Sequence, residues 1–413
     1  MTQLFPLPAN RLAFCVLLAF VIAAVVARML TPVAMRIGLA DPPGGRKQHS
    51  GHVPLTGGIA MFAGFFVAAM ASGLIIGSTV ALVVALLLLV FGGAADDMHD
   101  IAHQGKFVIQ LTAALLMTSW AGVQVHELGN LFGFGPLNLY QWAIPFSVVC
   151  ALGVINAINM VDGLDGVAGG TVVAAALWLA YAALAQGLGS QALFLLLLAA
   201  AVAGFLVWNV RFPGVRSQAR VFMGDSGSMM LGLALCWFSI DVTQGEGRTL
   251  PPIVCMWILA VPLIDMARVM FVRIRKRISM FEADREHLHH LLLERGVPAY
   301  HAAWIMMAAS VVAGGFAVGA WHAGVPEWAL SWLFIGLFSV VLVSAYSRER
   351  AIARKVASIN RAATPMPAEP VQRLPERRRE QRSTDKALDL WRNARSPSRA
   401  DERPASRSDD RIG

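Results

Sequence analysis

A chain of 413 residues in which 56% are hydrophobic and only 15% charged is no ordinary soluble domain, where the charged share averages about 25%. A disulfide-stapled module is excluded too: Cys15, Cys150, Cys236 and Cys255 lie in or beside apolar runs, without metal-type spacing. The net charge of +8 belongs largely to the end of the chain, since the residues from Tyr346 onward hold 17 of the 34 Lys/Arg and 10 of the 26 Asp/Glu; no nucleic-acid partner is predicted.

A helix needs about 20 apolar residues to cross the hydrocarbon core of a bilayer. Eleven stretches qualify, at 12–30, 55–76, 79–95, 107–123, 142–158, 167–186, 190–208, 224–241, 251–272, 301–321 and 327–345. The first carries no positive charge before Arg11 and reads as a retained span rather than a signal peptide. The connections at 31–54, 96–106, 209–223 and 273–300 hold three, one, three and six Lys/Arg, whereas those on the other side hold only Arg248. The positive-inside rule then predicts an all-α polytopic membrane protein with about 11 transmembrane helices, a periplasmic N-terminus and a cytoplasmic C-terminus. Residues 1–345 form the expected membrane domain. Residues 346–413 form a basic, largely disordered cytoplasmic tail, with room for a short amphipathic helix near 348–360 on an anionic lipid surface.

Uncompensated charge is costly in a bilayer, so polar clusters at span ends call for an explanation. The first loop, Asp41-Pro-Pro-Gly-Gly-Arg46-Lys47-Gln-His49, has the Pro and Gly density of a defined loop shape, with Arg46 and Lys47 available to anions. In Asp96-Asp97-Met-His-Asp100 the i,i+3 and i,i+4 spacings put carboxylates on one helical face. Such a group suits Mg²⁺, although a solvated helix end is a fair alternative. Asn156-Ala-Ile-Asn159-Met-Val-Asp162-Gly-Leu-Asp165-Gly packs two amides and two carboxylates among helix-breaking glycines, more than a tight turn needs. Asp225 opens the eighth stretch, where a helix N-terminus suits phosphate; taken alone it is more simply an N-cap.

Asp265 is expected to pair with Arg268 at i,i+3, and Pro262 to kink its helix into a groove for a lipid. Arg273, Arg275, Lys276 and Arg277 could clamp a dianion, while most of them serve the ordinary role of membrane anchoring. Asp284-Arg-Glu-His287-Leu-His289-His290 has a zinc-like spacing. Its imidazoles fit phosphate or sugar oxygens better, because oxygen ligands dominate elsewhere.

Together these segments resemble the polyprenyl-phosphate N-acetylhexosamine-1-phosphate transferases, glycosyltransferase family 4, from about Asp41 to Arg295 and in matching order. Pro262-Leu-Ile-Asp265, Arg273 and Asp284-Arg-x-His-x-His-His-Leu look like the WecA branch, while the Pro-x-His-His-His-x-Glu arrangement of the MraY branch is missing. Met280 stands where the family resemblance leads one to expect the proline of a Ser-Pro-Phe segment, next to Phe281. The resemblance implies an active site on the cytoplasmic face of a bacterial inner membrane. It implies transfer of N-acetylglucosamine 1-phosphate from UDP-GlcNAc, or another UDP-N-acetylhexosamine, to undecaprenyl phosphate. UMP leaves, and the product starts an O-antigen or similar envelope polymer. The implied cofactor is Mg²⁺, with Mn²⁺ as a substitute, held by Asn159 and Asp225. Asp96 and Asp97 would position or deprotonate the lipid phosphate. Asp162 and Asp165 would hold nucleotide or metal-bound water, and His287 also belongs to the catalytic group. Lys47, Asn156, Arg273, His289 and His290 would bind phosphates and sugar. Membrane lipid is an expected partner, and a homodimer is left open.

Two rivals set limits on this reading. Asp96-Asp97-Met-His-Asp100 also fits the Asp-Asp-x-x-Asp motif of a UbiA-type prenyltransferase, but no second motif of that form occurs. A transporter would gather its ionisable groups near the midplane, and here only Asp265 is placed that way.

Overall fold

The structure, a computed structural model, describes residues 5–42, 51–211, 218–245, 247–279, 287–363 and 386. Its compact body is Met1–Glu349. The helices in chain order are α1 (Ala9–Met29), α2 (Thr31–Ile37), α3 (Gly57–Ser72), α4 (Ser78–His99), α5 (His103–Leu115), α6 (Ala143–Val161), α7 (Val167–Ala185), α8 (Gly189–Asn209), α9 (Gly224–Asp241), α10 (Pro252–Ile258), α11 (Ala260–Lys276), α12 (Leu288–Glu294), α13 (Ala299–His322) and α14 (Glu327–Ala363). A single antiparallel pair, β1 (Ala40–Asp41) with β2 (Val53–Pro54), ties off the first loop.

The chain is an all-α, multi-pass membrane protein. Each of the eleven apolar stretches coincides with helix, but among the described residues seven helices are long and apolar enough to cross a membrane, or eight if α10 and α11 count as one bent span. The difference is one of length and composition. At about 1.5 Å per residue, the 16 residues of α3 reach only about 24 Å. The 107–123 stretch is split between α5 and a π turn at Leu116–Trp120. α9 opens on polar residues, Asp225-Ser-Gly-Ser.

α9 is the central helix: every residue from Ser226 to Ile240 is buried, as a helix apolar on all sides requires. α3, α4, α6 and α7 pack around it. Small residues allow the close approaches, as in membrane helix pairs generally. A Cβ at Gly232 would lie 2.5 Å from the Ile155 backbone, and one at Gly93 would lie 2.3 Å from Ser226 N. On the periphery, Gly64 and Gly204 bring α3 and α8 against the backbone of α1.

The helix ends fall into two sets. At one end, Gln244 accepts from the amides of His126 and Glu127, Gln186 accepts from those of Thr249 and Leu250, and Glu327 accepts from Asn130 N. All the described polar segments singled out in the sequence meet at the other end. α10 and α11 are bent by 78° at Leu259. Pro262 explains the position of the break: it has no N–H for the Ile258 carbonyl and its ring clashes with it. α14 runs on past 345 without interruption to Ala363, since no Gly or Pro intervenes between Gly336 and Pro365. The compact body ends at Glu349, within this helix.

Candidate active site

The site is built around the N-terminus of α9. Gly224 has φ +69°, and a Cβ there would lie 2.4 Å from Asp97 Oδ2, so the position needs glycine on two counts. With that space open, the Asp97 carboxylate at the end of α4 accepts from Asp225 N (2.9 Å) and Ser226 N (3.4 Å). Asp97 therefore takes the free N–H groups that the sequence reading offered to phosphate. The α9 start is anchored from behind as well: Gly57 N and Gly58 N donate to the carbonyls of Phe222 and Met223, and Phe222 N donates to Pro54 O.

Asp225 projects into a polar cluster. Asn159 Nδ2 donates to Asp225 Oδ1 (2.8 Å) and to Ser228 Oγ (2.9 Å). Lys106 Nζ, at the start of α5, lies 2.5 Å from Asp96 Oδ2 and 3.3 Å from Asp225 Oδ2. Asp96 is buried and its Oδ1 accepts from Ile101 N. Asp96, Asp97, Asn159 and Asp225 thus come together as the motifs predicted, with Lys106 as an addition. In the sequence Lys106 registers only as a loop charge, although it is the sole Lys/Arg between 96 and 106 and stands ten residues after the first Asp. Asp100 is not part of the cluster. The helix stops at His99, and Asp100 turns away with φ 49° and is exposed, so the three carboxylates do not share a face.

The remaining predicted residues fall around this centre. Asn156 donates to Gln110 Oε1 (3.0 Å) and Leu152 O (2.7 Å), which ties α6 to α5. Asp165 Oδ2 accepts from Arg211 Nε and from Ala219 N (3.2 Å), holding the far side of the 209–223 connection. Asn209 assists from α8, accepting from Gly166 N and donating to Val221 O. Asp162 follows the last residue of α6 and reaches solvent. Partial desolvation among the surrounding helices, together with the like charges of Asp225, Asp165 and Asp97, pushes its carboxyl up to about 7.

The histidines approach from the other side. The His289 ring is buried against Gly163, where a Cβ would lie 2.3 Å from Cε1. Burial and the neighbouring His290 and His287 push its imidazole down to about 3, so it is neutral at ordinary pH. Asp265 does not pair with Arg268. Its Oδ2 lies 2.9 Å from His287 Nδ1 and its Oδ1 accepts from Leu288 N at 2.6 Å. Arg273 is buried at the end of α11. Arg275 instead serves α14, donating to Glu349 and lying over the Tyr346 ring at 4.4 Å. Arg46, Lys47, His49, Met280, Phe281 and Asp284 lie outside the described residues.

Among the described residues no group of three His, Cys, Asp or Glu is arranged to hold a metal. Mg²⁺ asks for less, since it uses one or two carboxylates and completes its shell with water and phosphate. Asp225, with Asn159 bound to it, supplies hard oxygen donors of that kind, and so the residues present fit this ion.

Residues 79–243, which contain most of this cluster, match the sequence profile of glycosyl transferase family 4. The chain is similar to proteins named undecaprenyl-phosphate alpha-N-acetylglucosaminyl 1-phosphate transferase. That of Yersinia pestis is 34% identical over 77% of this chain and 86% of the relative. That of Salmonella typhi is 34% identical over 74% and 83%, and that of Haemophilus influenzae 30% over 77% and 89%. With two motifs meeting at the α9 N-terminus and relatives matched over most of their length, the chain belongs to glycosyl transferase family 4, the polyprenyl-phosphate N-acetylhexosamine-1-phosphate transferases.

Proposed function

We propose that the protein transfers N-acetylglucosamine 1-phosphate from UDP-GlcNAc to undecaprenyl phosphate, starting a lipid-linked envelope polysaccharide. The observation that carries this reading is the convergence of Asp96, Asp97, Asn159 and Asp225 at the start of a buried helix, where Lys106 bridges Asp96 and Asp225, Asn159 donates to Asp225, and Asp97 accepts from the Asp225 amide. A phosphate oxygen of the lipid attacks the β-phosphorus of the nucleotide sugar. A new P–O bond forms there, the bond to the bridging oxygen breaks, and that oxygen leaves with UMP. Two anionic partners must be brought together, so charge neutralisation and positioning supply most of the acceleration.

Each residue group has a part in this chemistry. Lys106 balances the charge of Asp96 and Asp225, and leaves Asp96 placed to orient the incoming lipid phosphate. Asp97 fixes the α9 N-terminus, and with it the direction of Asp225. Asp225 and Asn159 would hold Mg²⁺, with Mn²⁺ able to substitute, and the chemistry supplied there would be neutralisation of the negative charge on the departing UMP. Asp162 faces the nucleotide, and His287, His289, His290 and Arg273 receive phosphate and sugar oxygens. The eleven apolar helical stretches would all lie at membrane depth in the bacterial inner membrane, with the N-terminus outside and the site on the cytoplasmic face. The lysine-bridged aspartates and the histidine group both have a role here, which a UbiA-type prenyltransferase would leave the histidines without.

Purified protein given undecaprenyl phosphate, Mg²⁺ and UDP-GlcNAc is expected to release UMP, with EDTA stopping the reaction. UDP-MurNAc-pentapeptide in place of UDP-GlcNAc should give none. Release from the pentapeptide donor but not from UDP-GlcNAc would contradict the assigned substrate.

A further inference from the structure

Asp265 is the most deeply enclosed carboxylate near the site, with 0% exposure. A carboxylate in such a place is costly unless its oxygens are well satisfied. Both of them are: Oδ1 accepts from Leu288 N at 2.6 Å and Oδ2 lies 2.9 Å from His287 Nδ1. With Asp265 ionised its oxygens can only accept, and the contact then puts the hydrogen on His287 Nδ1. Nε2 is then the nitrogen that remains for a substrate oxygen. From His287 the order continues inward. Its ring lies nearly parallel to that of His289, 5.4 Å away and tilted by 9°, and His289 rests on Gly163, next to Asp162.

We propose that Asp265 is a positioning residue for the transfer reaction, fixing the tautomer and direction of His287 so that Nε2 meets a phosphate or sugar oxygen of the nucleotide sugar. This rests on the transferase reading above. Carboxylate–imidazole pairs of this geometry set which nitrogen carries the proton, and loss of such an orienting partner costs about 10- to 100-fold where it has been removed from metal-binding histidines. Simple docking of α12 on α11 would require only the Leu288 N–H bond, and would leave the His287 contact without a role.

The test is a cycle of Asp265→Asn, His287→Gln and the double variant, read by UMP release and thermal unfolding. In Asp265→Asn the amide oxygen stays with Leu288 N, so the NH₂ faces Nδ1 and selects the Nε2–H tautomer. The expected result is a fall in kcat of about 10- to 100-fold, with KM for UDP-GlcNAc within about 2-fold, and no further loss when Asp265→Asn is added to His287→Gln. Losses that multiply in the double variant, or a KM change with kcat intact, would overturn the proposal. Nitrogen NMR shifts of ¹⁵N-histidine-labelled wild type are a second measurement that needs no variant to fold. A bare Nε2 on His287 is expected, and an Nε2–H tautomer would overturn the pairing. Wild type that releases no UMP would defeat the transferase reading itself, and this is distinguishable because the shifts require no turnover.

Discussion

Lys106 holds two carboxylates that would otherwise repel each other, Asp96 and Asp225. Lys106→Met keeps much of the side-chain volume and removes the charge. It is expected to lower kcat for UMP release by about 10²- to 10³-fold, the range for losing one preorganised charge-stabilising group; activity within 3-fold of wild type would remove Lys106 from the site. Asp162 supports a second prediction. Its folded pKa of about 7 lies above the ordinary carboxylate value of 3.8, so the stability it contributes is complete below 3.8 and is lost as pH rises through 7. Asp162→Asn escapes this loss. The Tm of the variant relative to wild type should therefore rise between pH 4 and pH 8, and a difference that stays flat would show that Asp162 is not perturbed in the folded protein. At this scale most of the cluster was legible from residue type and spacing. Polar residues in apolar chains are few, and Asn159, Asp162 and Asp225 therefore stood out. What could not be read were the partners: Lys106 for Asp96, Arg211 for Asp165, Gln110 for Asn156 and His287 for Asp265. Each pair joins residues 10 to 46 positions apart, and nothing local in the chain marks them. Asp265 shows the cost of local reasoning, because Arg268 sits at helical spacing while His287 reaches it from the residue that precedes α12.

At the scale of elements, the site depends on how closely α4 approaches the first turn of α9. A Cβ at Gly93 would lie 2.3 Å from Ser226 N and 2.4 Å from Ser226 Cα, both backbone atoms that cannot step aside as a side chain can. Gly93→Ala should cost about 1–3 kcal/mol through overpacking and should displace Asp97 from the α9 N–H groups, lowering both Tm and turnover. An unchanged Tm with full activity would mean that the helices are not in contact there. Helix positions followed the apolar runs closely, since the burial pressure on them is large. Helix lengths did not. The break at Leu259 follows from Pro262, a signal visible in the chain, whereas the left-handed Asp100 that ends α4 has no glycine to announce it. The continuation of α14 to Ala363 was only partly foreseen, because a charged helix beyond the apolar run has the composition of a tail.

The molecule as a whole places its chemistry at one end of a bundle whose other end is tied by Gln186, Gln244 and Glu327. The segregation agrees with the Lys/Arg bias of the loops, two features that arise from different physics. Asp265, which looked like a midplane carboxylate suited to a transporter, belongs to this polar end through its contact with His287. The central claim is that a phosphosugar, rather than a sugar alone, moves to the lipid. UDP-GlcNAc labelled with ³²P at the β-phosphate tests it most directly when incubated with the protein, undecaprenyl phosphate and Mg²⁺. The account predicts label in the lipid extract and unlabelled UMP in the aqueous phase. Labelled UDP in the aqueous phase, or a lipid product without label, would contradict it.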